Sequence, residues 1–483
     1  MNDHEVLLVL GPMVLLLAIA CEVAWRNRYV PQWIARKVLH VGAVGACAVV
    51  PLWLEDLDLL RWIVIASEIV IILLVFTGRL FDQRTGRRSW GIVLFPLPFL
   101  LLLYIEPDRW LIALPMGILA CSDAMAAVAG NLLTTDRFRL TGDPKSVHGS
   151  VAFFIVTLIV VSFFPQVESL IGNLPPWQRW ALLIVIAALL TAIEALGSRG
   201  LDNLLIPLAA WFLFDHVAEM PLEFRSHVAF ETGPALIAAA VIVPVLVRSK
   251  LLDVGGAIAA ATIGIWTVFF AGAIWLVPLF VFLLLSALIG KWSRNSRLFP
   301  IEEKHGRARD AMQVICNGGI FALSAAMFDP VTATFAMAVS ISISMCDTWA
   351  SEIGIGFRKA TIDLRNFKRI TPGLSGGISL PGTLGGAIGA AIMAGCSVML
   401  IKTTDNWRLF VVIAAAGFAG MIADGLIGAW FQRRYRGNDH RLSDVPDLRS
   451  EKVSGLSWMD NDLVNLLSNA LITFAAVALW IAA

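Results

Sequence analysis

Residues Leu409–Trp430 read LFVVIAAAGFAGMIADGLIGAW, and this stretch indicates the class of the fold. A bilayer core about 30 Å thick is crossed by roughly 20 helical residues. The run has 22 residues and carries a single charge, Asp424, near its end. Its apolarity is continuous, whereas a membrane β-barrel would show alternation. The stretch therefore predicts a transmembrane helix with one acid at its end.

Similar runs fill the chain, which has 483 residues, 58% of them hydrophobic, and a mean hydropathy of +0.78. A chain of this composition has too few polar residues to cover the surface of a water-soluble protein of this size. We predict an all-α, polytopic integral membrane protein of about sixteen transmembrane helices. The eighth span is too short to cross a bilayer unaided. The predicted spans are Val6–Trp25, Val38–Leu54, Trp62–Thr77, Trp90–Tyr104, Trp110–Asn131, Ser150–Phe164, Trp180–Leu196, Leu204–Phe214, Thr232–Val247, Gly255–Phe270, Ala273–Gly290, Ala311–Phe328, Val331–Ala350, Ile378–Ile401, Leu409–Trp430 and Leu463–Ile481.

The distribution of positive charge predicts the orientation, because Lys and Arg accumulate in cytoplasmic loops. With the amino terminus outside, the inner loops between these spans hold 31 of the 37 Lys and Arg residues. We therefore expect both termini outside and the charged motifs at the cytoplasmic face. The first residues, Met-Asn-Asp-His-Glu, lack the basic region of a cleaved signal and the Arg/Ser-rich composition of a transit peptide, so we expect a bacterial inner membrane.

A polar outer loop, Asp215–Glu231, divides eight predicted spans from eight. We expect membrane domains at 1–215 and 232–483, joined by an extracytoplasmic linker at 216–231. An even number of spans in each half makes the halves parallel repeats. Each half presents the same order of features: a basic group, an acid at the end of a span, a Gly/Ser segment, a second acid and an Asp/Asn cluster.

Carboxylates within or at the ends of spans are costly, so they need partners. One such acid is equally well explained by a structural ion pair, but several acids at one face favour a site. Oxygen ligands suit Mg²⁺, which commonly bridges one or two carboxylates and substrate phosphates. The candidate catalytic acids are Asp123, Glu194, Asp202, Asp347, Glu352 and Asp424, and the candidate metal ligands are Asp123, Asp347, Asp424 and Asp462.

The Gly/Ser segments begin helices on the basic side, where free backbone N–H groups and the helix dipole favour phosphate. For Gly385, Gly386 and Gly389 we favour tight helix packing instead. Arg36 and Lys37 are equally well explained as an ordinary positive anchor, and His40 lies one turn from Lys37 on the same helix face. The candidate phosphate and nucleotide ligands are Arg36, Lys37, Lys145, Ser146, Asn203, Arg309, Asn317, Ser375, Gly376, Gly377, Ser379 and Thr383.

Residues 20–215 resemble the dolichol kinase and phytol kinase family of polyprenol kinases. The resemblance rests on Arg36–His40, Ser122–Ala126 with Gly130, Lys145–Ser150, and Glu194 with Gly200–Asn203 and Pro207. It implies phosphorylation of an isoprenoid alcohol with CTP.

Residues 250–480 resemble the family that contains phytyl-phosphate kinase. The matching motifs are Gly306–Asp310 with Gln313–Val314 and Asn317–Gly319, Asp347–Gly354, Gly373–Thr383, Asp424–Ala429 and Asn461–Asn465. This resemblance implies addition of a second phosphate to an isoprenyl monophosphate.

Together the resemblances imply a bifunctional enzyme that converts a prenyl alcohol, such as phytol or geranylgeraniol, to its diphosphate. The implied partners are the alcohol, its monophosphate, a nucleoside triphosphate, Mg²⁺ and membrane lipid, with no nucleic acid. The residues alone do not distinguish CTP from another nucleotide or show which acid accepts a proton. Two rival functions are a CTP-dependent cytidylyltransferase acting on a lipid phosphate and a transporter built from parallel repeats.

Overall fold

The structure is a computed structural model, and it describes residues 3–77, 91–133, 137–295, 308–357, 360–401, 405–437, 442–445 and 450–482. The chain is an all-α polytopic membrane protein. Within these described ranges, 11 helices are long and apolar enough to cross a membrane, or 12 if a bent pair of helices is one span. Within the described residues every predicted span overlaps helix, but the count of sixteen crossings is not confirmed. Trp90, Gly306 and Arg307 from the sequence motifs lie outside the described residues.

The chain forms two compact units, Met1–Gly233 (unit 1) and Pro234–Ala483 (unit 2). The loop predicted between Asp215 and Glu231 is mostly helical, so that prediction was wrong. Arg225 donates to the carbonyl oxygen of Leu170 at 2.6 Å, and the Ser226 hydroxyl contacts the Gln178 amide oxygen at 3.0 Å. These contacts satisfy polar side chains that in the sequence suggested a solvated loop. The assignment of separate activities to 1–215 and 232–483 stays a prediction.

Unit 1 is a helical bundle in which the middle of the chain supplies the core. Its fifth, sixth, eighth and eleventh helices bury the largest apolar side chains, including Phe99, Phe153 and Phe214. Arg137–Phe138 (β1) pairs antiparallel with Lys145–Ser146 (β2). The helices are α1 Asp3–Arg26, α2 Gln32–Trp53, α3 Asp58–Phe76, α4 Gly91–Leu94, α5 Pro96–Ile105, α6 Arg109–Ile118, α7 Ala124–Leu132, α8 Val147–Phe163, α9 Pro165–Ile171, α10 Pro176–Leu196 and α11 Asp202–Glu219.

The predicted eighth span is longer than its apolar run indicated, because α11 extends through polar residues at both ends and has 18 residues. Pro207 lies buried inside it. α8 and α9 form the bent pair, with an angle of 76° between them. The helix α12 Leu222–Arg248 contains the boundary between the units.

Unit 2 is organised around one long, buried helix, α16 Pro330–Phe357, which contacts six other helices of the described chain. Its apolar core includes Phe335, Val339 and Ile413. The other helices are α13 Val254–Ala271, α14 Leu276–Asn295, α15 Ala311–Met327, α17 Leu380–Leu400, α18 Asn406–Phe431 and α19 Asn461–Ala482, with a short 3₁₀ turn at Ala273–Trp275.

Two small antiparallel sheets lie in the connections of unit 2. One has the strand order β4 (Arg369–Ile370), β3 (Thr361–Asp363), β5 (Gly377–Ile378), and the other has the order β7 (Leu442–Ser443), β6 (Arg434–Arg436), β8 (Glu451–Ser454). The buried Arg434 joins them, because its guanidinium pairs with Asp363 at 3.0 Å. These sheets fix the chain that leads into α17 and α19.

Candidate functional site

Asp123 lies in a short π-helical segment, Leu119–Asp123, between α6 and α7. Such π-turns inside α-helices are frequent at functional sites. One Asp123 carboxylate oxygen accepts from Lys37 Nζ at 2.5 Å and lies 3.2 Å from His40 Nε2. Lys37 and His40 are one turn apart on α2, so the predicted shared helix face is present. His40 Nε2 also lies 3.4 Å from the carbonyl oxygen of Leu119.

Lys145 holds two further acids of unit 1. Its Nζ donates to Glu194 at 2.6 Å and to Asp202 at 3.0 Å. Burial disfavours the Lys145 ammonium, yet the charges of Asp202 and Glu194 outweigh burial and raise its pKa above the usual lysine value. Lys145 also interacts electrostatically with Asp123. Lys37, His40, Asp123, Lys145, Glu194 and Asp202 therefore form one polar site, the unit 1 cluster.

Ser146 begins α8 directly beside this cluster. Its hydroxyl accepts from the backbone N–H of Gly149 at 3.0 Å and so caps the helix. A Cβ atom on Gly149 would lie 2.9 Å from the Ala126 carbonyl oxygen, and one on Gly130 would lie 2.7 Å from the Ser146 hydroxyl. Glycine at both positions lets α7 and α8 approach closely.

Two other unit 1 candidates are placed outside the cluster. Arg36 is exposed, and it makes no hydrogen bond or ion pair within the described ranges. The Asn203 side chain donates to the carbonyl oxygen of Gly91 at 2.9 Å and ties α11 to α4. Phosphate binding by either residue stays a prediction, and the Asn203 amide already has a structural partner.

Unit 2 repeats the arrangement around Ser146 residue for residue. Ser379 caps α17 by accepting from the N–H of Gly382 at 3.3 Å. A Cβ atom on Gly382 would lie 2.6 Å from the Ala350 carbonyl oxygen and 3.2 Å from the Cα atom of Gly354. Asp347 lies three residues before Ala350, as Asp123 lies three before Ala126. Asp123 and Asp347 therefore hold equivalent positions in the two units.

The carboxylates of Asp347 and Asp424 form the centre of the unit 2 site, and their charges repel each other. Ser468 Oγ donates to Asp424 Oδ1 at 3.2 Å. With its amide oriented to satisfy its neighbours, Asn465 donates to the same oxygen and to the Asn461 carbonyl oxygen, each at 3.0 Å. Within the part of the chain that the structure describes, no Lys or Arg forms an ion pair with either aspartate.

A ladder of neutral polar side chains continues from this site into the bundle. Asn469 donates to the Ser344 hydroxyl at 3.0 Å, and Ser344 donates to the Asn317 carbonyl oxygen at 2.6 Å. The hydroxyl of Thr473 in turn bonds the Asn469 amide oxygen at 3.1 Å. The ladder joins α15, α16 and α19.

Sequence reasoning missed the ladder, although a signal exists. Asn461, Asn465, Asn469 and Thr473 recur every fourth residue and so share one face of α19. A polar stripe at helical spacing inside an apolar span indicates side chains that bond across helices.

Glu352 and Arg309 lie near each other at one end of unit 2, where their opposite charges interact. The Arg309 guanidinium lies over the ring of Phe282, 5.6 Å from its centroid. Asp462 occupies the first turn of α19, three residues before Asn465, and interacts electrostatically with Cys316 on α15. Glu352 and Asp462 thus have neighbours other than the aspartate pair, and their roles as a catalytic acid and a metal ligand stay predictions.

The predicted phosphate segment Ser375–Thr383 is largely engaged with the protein itself. The Ser375 backbone N–H donates to Asp444 at 2.8 Å, its hydroxyl bonds Gln432 at 2.6 Å, and its carbonyl accepts from Arg434 at 2.6 Å.

Gly376, at φ +77°, packs against Ala429, and the N–H of Gly377 donates to the Leu374 carbonyl oxygen. The N–H of Thr383 donates to the Ser379 carbonyl oxygen. The segment thus ties a sheet to α17 and α18, and its role toward phosphate stays a prediction.

The residues fit a magnesium ion better in unit 2 than in unit 1. Across the described ranges, no three His, Cys, Asp or Glu side chains converge to hold a metal by themselves. Mg²⁺ commonly uses only one or two carboxylates together with substrate phosphates. Asp347 and Asp424 offer two mutually repelling carboxylates, whereas Asp123 already pairs with Lys37.

Comparison with known proteins finds a family model that matches part of the chain. Residues 237–473 match the family described as integral membrane protein DUF92. An uncharacterized membrane protein of Methanocaldococcus jannaschii is 28% identical over 189 residues, which are 39% of this chain and 77% of that relative. No solved structure matches the chain.

Two relatives have more specific names. A phytol kinase of Synechocystis is 26% identical over 219 residues, which are 42% of this chain and 84% of that kinase. The chloroplastic protein VTE6 of Arabidopsis thaliana is 27% identical over 138 residues, which are 29% of this chain and 35% of that protein. The chain is therefore similar to a protein named for a kinase of an isoprenoid alcohol.

Proposed function

We propose that this protein is an isoprenoid kinase with two active units, one that phosphorylates a prenyl alcohol and one that converts the monophosphate to the diphosphate. The observation that carries the proposal is the repeated arrangement of an aspartate, two close-packed glycines and a serine-capped helix in both units. The similarity to a phytol kinase supplies the reaction class.

Unit 1 has the groups that an alcohol substrate requires. The attacking oxygen of an alcohol must lose its proton as its bond to the γ-phosphorus forms and the bond from that phosphorus to the leaving nucleoside diphosphate breaks. The unit 1 cluster offers carboxylates and an imidazole for that proton. Lys37 and Lys145 neutralise charge on the phosphates.

Unit 2 suits a substrate whose nucleophile is already ionised. A prenyl monophosphate attacks through a phosphate oxygen that is deprotonated at neutral pH, so charge neutralisation matters more than a base. Asp347 and Asp424 would hold Mg²⁺, which when bound supplies neutralising charge to the phosphates. Ser468 and Asn465 keep Asp424 oriented, and Arg309 offers a cation to the acceptor phosphate.

The proposal also includes the phosphate donor and the side of the membrane that the sites face. CTP is the donor that the family resemblance implies, and the site faces the cytoplasm, where nucleotide is available. Tethering two units in one chain raises the local concentration of the monophosphate for the second step. The amphiphilic intermediate then remains in the bilayer.

The test is to incubate purified protein with phytol or geranylgeraniol and CTP labelled at the α or the γ phosphorus. We expect γ label in lipid monophosphate and diphosphate and no α label in lipid. Label from the α position in lipid would identify a cytidylyltransferase and overturn the proposal. Substrate flux into proteoliposomes without nucleotide turnover would instead support a transporter.

A further inference from the structure

Unit 2 contains a cavity of about 300 Å³ between α12, α13, α14 and α15. Ligand pockets begin at about this volume. Its walls are apolar, and small residues such as Ala239, Ala261 and Gly264 keep it open on the α12 and α13 sides. A narrow apolar space of this kind fits a hydrocarbon chain.

α12 forms the outer wall of the cavity and is held loosely. Of its 27 residues only Ala229 and Thr232 are buried, and both precede the stretch that lines the cavity. Its other face carries exposed apolar side chains, among them Ile237 at 70% and Val241 at 64% exposure. A lipid-facing helix with so few buried contacts leaves a lateral path from the bilayer to the cavity.

One end of the cavity is polar, where Arg309, Gln313 and Asn317 line it. Burial lowers the pKa of the Arg309 guanidinium because the charge has lost part of its hydration. Within the described ranges this guanidinium makes no hydrogen bond or ion pair, and it lies over the ring of Phe282. An arginine so placed is suited to bind an anion.

A chain of hydrogen bonds connects the polar end of the cavity to the aspartate pair. Asn317 lines the cavity, and its carbonyl oxygen accepts from Ser344, which bonds Asn469. Asn469 lies one turn from Asn465, which together with Ser468 holds Asp424. A molecule with its hydrocarbon chain in the cavity would present its polar end to Arg309, Gln313 and Asn317, and Asn317 is linked to the aspartate pair by these hydrogen bonds.

We propose that this cavity is the acceptor site of unit 2, with the isoprenoid chain of a prenyl monophosphate between α12 and α15, its phosphate at Arg309, and its path from the bilayer past α12. This inference rests on the proposed function. It goes further in assigning the lipid site, its direction of access and the residues that limit chain length.

The test compares variants that fill the cavity with one on the opposite helix face. Ala239→Phe and Ala261→Phe place a ring in the cavity, and Ile237→Phe places the same ring toward lipid. We expect the first two to lower kcat/KM for geranylgeranyl monophosphate about tenfold or more, since a pocket rejects even single extra groups by such factors. Dimethylallyl monophosphate, which needs only the polar end, should change less than about twofold, and Ile237→Phe should leave both substrates unaffected.

A second readout does not need turnover. A geranylgeranyl monophosphate with a photoreactive group at the chain end should label peptides of α12 and α13 in the wild type and not in Ala261→Phe. Equal losses for both substrates, labelling elsewhere, or labelling abolished by excess phospholipid would overturn the cavity assignment. If these helices are labelled but the protein phosphorylates no prenyl monophosphate, the cavity binds the lipid and the proposed function is refuted.

Discussion

Asp123 and Asp347 occupy equivalent positions, each beside a close-packed helix pair of its own unit, α7 and α8 in unit 1 and α16 and α17 in unit 2. Their neighbours nevertheless differ in charge. Asp123 is paired with Lys37 and His40, whereas Asp347 faces a second aspartate supported by neutral donors. The shared glycine and serine positions set the geometry. The same arrangement of helices therefore supports two charge patterns. We propose that the unit 1 pattern serves an alcohol as the nucleophile and the unit 2 pattern a phosphate.

Lys145→Met should have the largest effect, both on the free energy of unfolding and on the first phosphorylation step. It leaves Glu194 and Asp202 buried without their cation, and breaking a buried ion pair costs about 3–5 kcal/mol. We expect the free energy of unfolding to fall by about that amount in a detergent unfolding series. Monophosphate formation should be lost, while supplied monophosphate is still converted. Arg139→Met, an exposed change in the same connection, is the control.

Equal stability of Lys145→Met and Arg139→Met would contradict the cluster as described. Adding Glu194→Gln to Lys145→Met should recover part of the lost stability, because one uncompensated charge is removed. Absence of any recovery would point to a loss unrelated to charge.

Gly149→Ala and Gly382→Ala test whether the two helix contacts are equivalent. Each new methyl group would collide with a backbone carbonyl, at 2.9 and 2.6 Å, and overpacking costs about 1–3 kcal/mol. We expect Gly149→Ala to slow only the first step and Gly382→Ala only the second. Gly117→Ala, with nothing within 4 Å, and Gly395→Ala, with its nearest neighbour at 3.8 Å, should leave both rates unchanged. Slowing of both steps by one variant would refute separate sites.

Ser468→Ala should have a smaller effect on unit 2. It removes one donor to Asp424 and costs about 1 kcal/mol, which corresponds to roughly a fivefold slower second step. Thr334→Ala removes a hydroxyl from α16 that bonds only its own helix, and it is the control. An unchanged rate for Ser468→Ala would show that the hydrogen bond from Ser468 does not contribute to the second step.

The smallest expected change is in the pH dependence of unit 1 stability. The pKa of Lys145 is raised in the folded protein, so its stabilisation is fully present below the unfolded lysine value of about 10.4 and is lost as the pH rises through the folded value. The stability difference between wild type and Lys145→Met should therefore stay constant from about pH 7 to 9. A stability difference that shrinks across that range would mean that Lys145 loses its proton within it, so that its pKa is not raised.

The sequence was sufficient to predict the helices, since continuous apolar runs admit no other structure in a membrane. It did not settle the number of crossings, because helices such as α11 and α12 extend through polar residues whose partners lie elsewhere in the chain. Spacing alone placed Lys37 and His40 on one helix face, and the structure confirms that placement.

Other parts of the site depend on contacts between residues distant in sequence. The pairing of Lys145 with Glu194 spans 49 residues, and that of Asn469 with Ser344 spans 125. The π-turn at Asp123 has no recognisable spacing in the sequence. Ser375 was expected to bind phosphate, but the donors and acceptors that occupy its polar atoms come from β6 and the loops around it.

Product analysis of Asp123→Asn and Asp347→Asn, with γ-labelled CTP and a prenyl alcohol, distinguishes two sequential sites from one composite site. We predict that Asp123→Asn forms no monophosphate but still phosphorylates supplied monophosphate, and that Asp347→Asn accumulates monophosphate without diphosphate. If either variant, still folded, abolishes both steps, the two units do not act as separate sites.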